Sequence, residues 1–128
     1  MTKVYAALAL LAVIIAAGAA EYRISIKTAD EMLSAIEDVS YTLESSTDST
    51  KASVEICCDI RDKWQNRRTP LMLFLPHADI DITDIAAEKL VVYAESGDEE
   101  QIKITLAELE NQMHNLKDNE GINIYNFL

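Results

Sequence analysis

Turn-forming residues, cysteine and basic side chains are scarce in this 128-residue chain. Three Gly and two Pro argue against a turn-dense β fold and against a low-complexity or collagen-like chain. Eleven Lys and Arg stand against 22 Asp and Glu, which gives a net charge of −11. So acidic a protein repels the phosphates of nucleic acids and the headgroups of anionic membranes, and we expect neither as a partner.

The sequence also lacks the common catalytic and metal-binding motifs. There is no GxSxG, no Gly-rich phosphate loop and no HExxH, the patterns that place a nucleophile, a phosphate or a zinc ion. The two cysteines, Cys57 and Cys58, are adjacent, so a disulfide between them would be strained. Without a CxxC pair a structural zinc site is not expected either. We therefore predict a non-enzymatic protein with no cofactor.

Charge is nearly missing from the first 20 residues, where Lys3 is the single charged side chain. An uncharged run begins at Val4 and ends at Ala20; as a helix it is about 26 Å long, just short of a bilayer core of about 30 Å. Two interpretations remain open, an uncleaved single-pass anchor and a cleaved signal peptide, since small residues near position 18 fit a cleavage site. The length of the run and the helix-compatible sequence after it favour the anchor.

The contrast between the uncharged first 20 residues and the acidic remainder divides the chain into two regions. Residues 1–20 are predicted to be the anchor or signal peptide, and residues 21–128 an acidic domain with 10 Lys and Arg against 22 Asp and Glu. Lys3 on one side of the run and Arg23 and Lys27 on the other nearly balance the positive-inside count. Because so short an N-terminal tail ordinarily stays in the cytoplasm, we expect the acidic domain on the extracytoplasmic side of the cell membrane.

Small residues recur on one face of the apolar run. Ala12, Ala16 and Ala20 are four residues apart, a spacing that lets two membrane helices approach closely. The hypothesis is that this face pairs with a helix of another integral membrane protein or of a second copy. The alternative is that alanine serves here only as apolar filler or as part of a cleavable signal.

The region after residue 20 has the periodicity of amphipathic helices, with apolar residues three and four positions apart. The pattern predicts an all-α fold in which the N-terminal helix continues into a bundle of about four helices, arranged as two antiparallel hairpins. Ser96-Gly97 ends the third helix and Asp98 caps the fourth. The stripe expected to face the core is Ile82, Ala86, Leu90 and Tyr93 in the third helix, and Ile102, Leu106, Leu109, Met113 and Leu116 in the fourth. The six principal predicted core residues are Trp64, Phe74, Leu90, Leu106, Leu109 and Met113.

Two clusters of polar residues are candidates for binding. The first is acidic and lies at the start of the third helix; its carboxylates could hold a hard cation or simply favour the helix N-terminus. The second is basic and could meet lipid headgroups, the acidic face of the domain itself, or only solvent. The acidic cluster consists of His77, Asp79, Asp81 and Asp84, and the basic one of Arg61, Lys63, Arg67 and Arg68.

Several segments together resemble a known family. They are EMLSAIEDV in the first amphipathic helix, Trp64 near the end of the second, then LMLFLPHADIDITDI, KLVVYAESGDEEQIKITLAEL and the final NIYNFL. Over essentially its whole length the chain resembles the bacterial domain of unknown function 4363 family of short membrane-anchored helical proteins. Pro76 before His77 and the Ala-rich anchor depart from the family pattern. The resemblance implies fold and topology, no catalytic residues, and another small integral membrane protein as a partner.

Two functional hypotheses from different classes result. One is a membrane-tethered accessory protein that binds another membrane protein. The other is an exported sensor-like domain that takes a cation or a small ligand near His77.

The anchor hypothesis makes the first testable prediction. Expressed in a bacterial host, the protein should stay with the membranes through a carbonate wash, because about 17 apolar residues insert stably into a bilayer. Immunoblotting of the washed membranes and N-terminal sequencing measure this. A soluble mature chain that starts near Ala20 or Glu21 would establish the signal peptide instead.

Overall fold

Four helices make up the described part of the chain. The computed structural model describes residues 1–45 and 49–127, and the side chains of residues 1–45 and 52–118. Within these residues there is no strand, and the predicted all-α fold is confirmed. Residues 46–48 and 128, and the side chains of residues 49–51 and 119–127, lie outside the described residues. The helices are α1 (Thr2–Ser45), α2 (Ser49–Leu71), α3 (His77–Ser96) and α4 (Glu99–Phe127).

The helices form an up-down-up-down bundle with a square cross-section. Helix α1 packs against α2 and α4, and α3 packs against the same two helices. Neighbours in the chain are therefore antiparallel neighbours in space, as short connections favour. Helices α1 and α3 lie on a diagonal, so α3 is the helix farthest from α1.

Helix α1 is twice as long as the bundle needs. Its side chains up to Ala20 are all exposed, whereas burial begins with Ser25 and continues to Val39. This N-terminal half is long and apolar enough to cross a membrane. Helical geometry runs without interruption from the apolar half into the bundle half, so the two halves form one continuous rod.

The bundle core is built from one face of each helix. All five residues of the predicted α4 stripe are buried, and so are Cys57, Ile60 and Trp64 of α2. Of the six predicted core residues, Trp64, Leu90, Leu106, Leu109 and Met113 are at most 4% exposed. Phe74 is 37% exposed, and its placement in the core was wrong. It lies in the turn after α2, where the chain has already left the bundle interior.

The buried face of α3 agrees with the predicted one except at Ile82. Ala86 and Leu90 are buried and Tyr93 packs partly against the core, as predicted. Ile82 is 49% exposed, and the structure buries Ile80 and Val91 in addition. Large aliphatic side chains lie on more than one face of this helix, so the hydrophobic period does not determine where the buried face ends. The packing against α2 and α4 makes that choice.

The predicted capping residues are present between α3 and α4 but not at the start of α3. Gly97 adopts φ 69° after α3, and the amides of Gly97 and Asp98 donate to the carbonyls of Ala94 and Tyr93, which is a Schellman motif. The carboxylate of Asp98 accepts from the amide of Gln101 at 3.2 Å, so this predicted cap is present. At the start of α3, by contrast, Pro76 occupies the cap position and no side chain caps the helix.

Candidate functional site

A polar cluster joins α2 to α3. Trp64 and Arg68 are one turn apart on α2 and so share a face, and both reach Asp84 on α3. The indole Nε1 of Trp64 donates to Asp84 Oδ1 at 2.6 Å. Arg68 donates from Nε to Oδ1 at 3.1 Å and from Nη2 to Oδ2 at 2.8 Å. Both oxygens of the carboxylate are thus engaged, one of them twice.

The electrostatics of this cluster stabilise its charged form. The hydrogen bonds that Arg68 donates to Asp84, and then the negative charge of that carboxylate, raise the pKa of Arg68 above its usual value, so the guanidinium stays charged. The Trp64 side chain is buried, whereas the ion pair is about one-third exposed. Next to it, Gln65 donates to Glu88 at 3.1 Å. The arrangement holds α2 and α3 together and fixes their relative register.

The four residues predicted as a cation site are not gathered around one point. Asp84 is turned towards α2, His77 and Asp81 are exposed, and Asp79 lies in the first turn of α3. In the described part of the chain no group of three or more His, Cys, Asp or Glu side chains is arranged to hold a metal ion. A cation site at His77, Asp79, Asp81 and Asp84 stays a prediction from sequence, and the geometry gives it no support.

The basic residues of α2 face the acidic residues of the same domain. Arg67 Nη2 donates to the two carboxylate oxygens of Glu31 on α1, at 3.2 and 3.1 Å. Arg61 lies 3.3 Å from Asp62. Of the alternatives open for this patch, the domain's own acidic face is therefore the one that the structure shows for Arg61, Arg67 and Arg68. Exposed ion pairs of this kind contribute little to stability, but Arg67–Glu31 marks the register of α2 against α1.

The two cysteines are free and differ in their surroundings. Cys57 is buried in the core and Cys58 is partly exposed. Burial, with a smaller contribution from the neighbouring Cys58, raises the pKa of the Cys57 thiol from its usual 9.0 to about 12. Cys57 is thus a core side chain in its protonated form.

An apolar stripe faces outward on α3. Ile82, Ile85 and Val92 are 49%, 57% and 59% exposed, and we call these three residues the α3 outer stripe. A shallow, mainly apolar groove follows Ile85 and Val92 and is bordered by Glu88, Lys89 and the ring of Tyr93. Scattered exposed aliphatic residues are ordinary, but a row along one helix face is typical of an interaction surface. The periodicity placed Ile82 inside, so sequence reasoning missed this surface.

The small residues of the apolar half of α1 are exposed to the surroundings of the domain. Ala12, Ala16 and Ala20 are exposed and share one helix face. Pairing of this face with another membrane helix stays a prediction.

Comparison with known proteins places the chain in a family. The sequence pattern of the family described as domain of unknown function 4363 matches residues 20–127. The chain belongs to the DUF4363 family. The matched residues of this DUF4363 protein include the whole bundle half of α1 and begin at the end of the apolar run. No curated protein and no solved structure matches the chain.

The sequence of this DUF4363 protein predicts part of the polar cluster between α2 and α3. Trp64 and Arg68 lie four residues apart on a predicted helix, which is enough to predict a shared face. That Asp84, rather than Asp79 or Asp81, is their partner depends on the register between α2 and α3. Sequence spacing does not supply this register.

The polar cluster predicts a graded loss of stability. In the full-length protein in detergent, Trp64→Phe keeps the ring in the core but removes a hydrogen bond to a charged group, which costs about 1.5–3 kcal/mol. Trp64→Ala also leaves a cavity and should cost about 3–5 kcal/mol. Chemical denaturation followed by circular dichroism measures both. The control Gln65→Ala, at an exposed neighbour, should change stability by less than about 0.5 kcal/mol. An unchanged Trp64→Ala would contradict the buried position of this side chain.

The cysteines predict a thiol reactivity that depends on folding. With its pKa near 12 instead of 9.0, Cys57 has about a thousandfold less thiolate at pH 8, and the thiolate is the reacting species. In Cys58→Ser, reaction with an aromatic disulfide reagent should be slow in the folded protein, become faster as the pH rises towards 12, and become rapid on denaturation. Cys57→Ser is the matched control and should react readily when folded. Equal rates for the two folded variants would show that Cys57 is accessible.

Proposed function

We propose that this protein is a membrane-anchored accessory protein without catalytic activity, whose domain lies outside the cytoplasmic membrane and binds another integral membrane protein through the α3 outer stripe. The exposed stripe is the observation that carries the proposal. Ile82, Ile85 and Val92 lie along about 15 Å of one helix face, and none of the four bundle helices covers them in the described residues. An apolar row of this length is costly to leave in water unless a partner covers it.

The charges around the stripe favour a different protein over a second copy. Asp81, Glu88 and Glu95 are exposed on the same helix, and the whole chain carries a net charge of −11. Two copies that met through this face would bring like charges together, which opposes association. The complementary surface is therefore apolar at its centre and carries Lys or Arg at its border.

The register of the helices gives the height of the stripe above the bilayer. Asp84 on α3 is level with Arg68 on α2, and Arg67 beside it is level with Glu31 on α1. Glu31 is about 16 Å along α1 beyond Ala20, the end of the apolar run. Ile82 is two residues before Asp84, so with α1 across the bilayer the stripe begins about 12 Å above the membrane and rises about a further 15 Å. A partner held in the same membrane meets it at a high effective concentration, so a modest apolar contact suffices.

Site-directed photo-cross-linking tests the proposal. A photoreactive residue at position 85 should cross-link, in native membranes, to a protein that survives a carbonate wash. The matched control is position 104, since Ile104 is a comparably exposed isoleucine on α4, at 47%. The second substitution Ile82→Asp should abolish the product from position 85, because it buries a charge in the contact. If the cross-linked product from position 85 disappears while the amount of the protein is unchanged, the partner contacts the α3 outer stripe.

The other outcomes would contradict specific parts of the proposal. A product containing two copies of this chain would replace the accessory role with self-association. Equal products from positions 85 and 104, or none from either, would remove the stripe as the binding surface. The side of the membrane is read from Ser96→Cys in a Cys58→Ser background, which should react with a membrane-impermeant maleimide in intact cells. Reaction only after lysis would place the domain in the cytoplasm.

A further inference from the structure

The loop between α2 and α3 is apolar and exposed. It comprises residues 72–76, and no charged residue occurs from Thr69 to Pro76. Leu73 is 80% exposed and Phe74 is 37% exposed, whereas Met72 and Leu75 pack partly against the core. Loops on soluble domains are ordinarily polar, since they face water. A connection that presents leucine and phenylalanine at its tip therefore indicates surroundings other than water.

The loop lies at the end of the bundle from which the apolar half of α1 emerges. Arg67 and Glu31 are paired at 3.1 Å, and α1 and α2 are antiparallel, so Leu71 is level with about Lys27. The tip of the loop is then level with about Ile24, four residues or about 6 Å from Ala20. The headgroup layer on each side of a bilayer core is about 5–7 Å thick. The tip thus falls within that layer when α1 spans the membrane.

The backbone N–H groups of the loop are hydrogen-bonded within the chain. The amides of residues 72, 73, 74 and 75 all donate to backbone carbonyls of residues 68–71, at 2.8–3.3 Å. An unsatisfied amide would make entry into an apolar layer costly. Here the N–H groups of the tip already have partners, so its transfer into the interfacial layer carries no unpaired backbone donor along with the apolar side chains.

From these observations we propose that the α2–α3 loop inserts Leu73 and Phe74 into the interfacial layer of the same bilayer that α1 spans, as a second attachment point of the domain. The proposal rests on the membrane anchoring proposed above, but on neither its orientation nor its protein partner. The aromatic ring of Tyr22, 38% exposed on α1, lies at the same level, where aromatic side chains favour the interface.

The α2–α3 loop contacts the apolar part of the bilayer interface and does not bind anionic headgroups. Arg23 and Lys27 on α1 are equalled in number by Asp79 and Asp81 on α3, so this end of the domain has no net positive charge to attract acidic lipids. A second contact with the bilayer would restrain rotation of the domain about α1. The α3 outer stripe would then be held at a fixed angle to the membrane plane.

Depth-dependent quenching tests the insertion. Full-length protein with Leu73→Cys in a Cys58→Ser background is labelled with an environment-sensitive fluorophore and reconstituted in phosphatidylcholine vesicles. We expect a blue-shifted emission that is quenched by lipids with a spin label near the headgroup, and quenched less by a label deep in the chain. Leu73 is almost fully exposed, so the substitution leaves the core intact.

Two control positions separate the possible failures. A label at Ser96→Cys, at the opposite end of α3, should show aqueous emission and little quenching, which excludes insertion driven by the dye. A label at Ile14→Cys, inside the apolar run, should be quenched most by the deep spin label. If position 14 is quenched and position 73 behaves like position 96, the loop insertion is wrong while the anchor stands. If position 14 is not quenched, the anchor and the insertion both fail.

Lipid composition gives the remaining arm of the experiment. Quenching at position 73 should be the same in pure phosphatidylcholine and in vesicles that contain phosphatidylglycerol, because the contact is apolar. Quenching that appears only with phosphatidylglycerol, and disappears with salt, would assign the contact to headgroup charge and overturn the proposal. With the label kept at position 73, Phe74→Asp should weaken the quenching several-fold, because it places a carboxylate in the inserted tip.

Discussion

The continuity of α1 is the constraint on which the rest of the structure depends. One helix contains both the apolar run and a quarter of the bundle core, and a helix advances a fixed 1.5 Å per residue. Every level in the domain can therefore be measured from the end of the apolar run, once another helix is in register with α1. Arg67–Glu31 sets that register for α2, and Lys117–Asp30, at 2.6 Å, sets it for α4. These exposed pairs add little free energy, but they show which residues are level.

The square arrangement explains why α3 carries the exposed surface. A helix in a four-membered ring buries the side facing its two neighbours and the centre, and it leaves the opposite side free. Helix α3 has more large aliphatic residues than that inner side can accept, so Ile82, Ile85 and Val92 remain outside. Because α3 is diagonal to α1, this surplus faces away from the helix that contains the apolar run. In the membrane-anchored arrangement that we propose, the domain presents this apolar face sideways, within reach of a neighbour in the same membrane.

The polar contacts show where sequence reasoning stops. Asp84 appears in the sequence as one of several carboxylates near His77, equally suited to a cation or to a helix start. In the structure its two oxygens accept from Trp64 and Arg68, twenty and sixteen residues away. The indole N–H of a buried tryptophan needs an acceptor, so a hydrogen-bond acceptor near Trp64 could be expected. Which residue supplies it depends on the register of α3 against α2.

The sequence by itself determined the all-α class, the apolar N-terminal helix, the family, the buried stripe of α4 and the Gly97 helix end. Each of these depends on residues close together in the chain, because hydrophobic period, apolar length and cap chemistry are local properties. Only the tertiary structure decided that Ile82 lies on the exposed side of α3, that Phe74 lies outside the core, and that Asp84 accepts hydrogen bonds from Trp64 and Arg68. Those outcomes depend on the rotation and register of one helix against another. Side chains from distant parts of the chain fix them together, and no single segment encodes them.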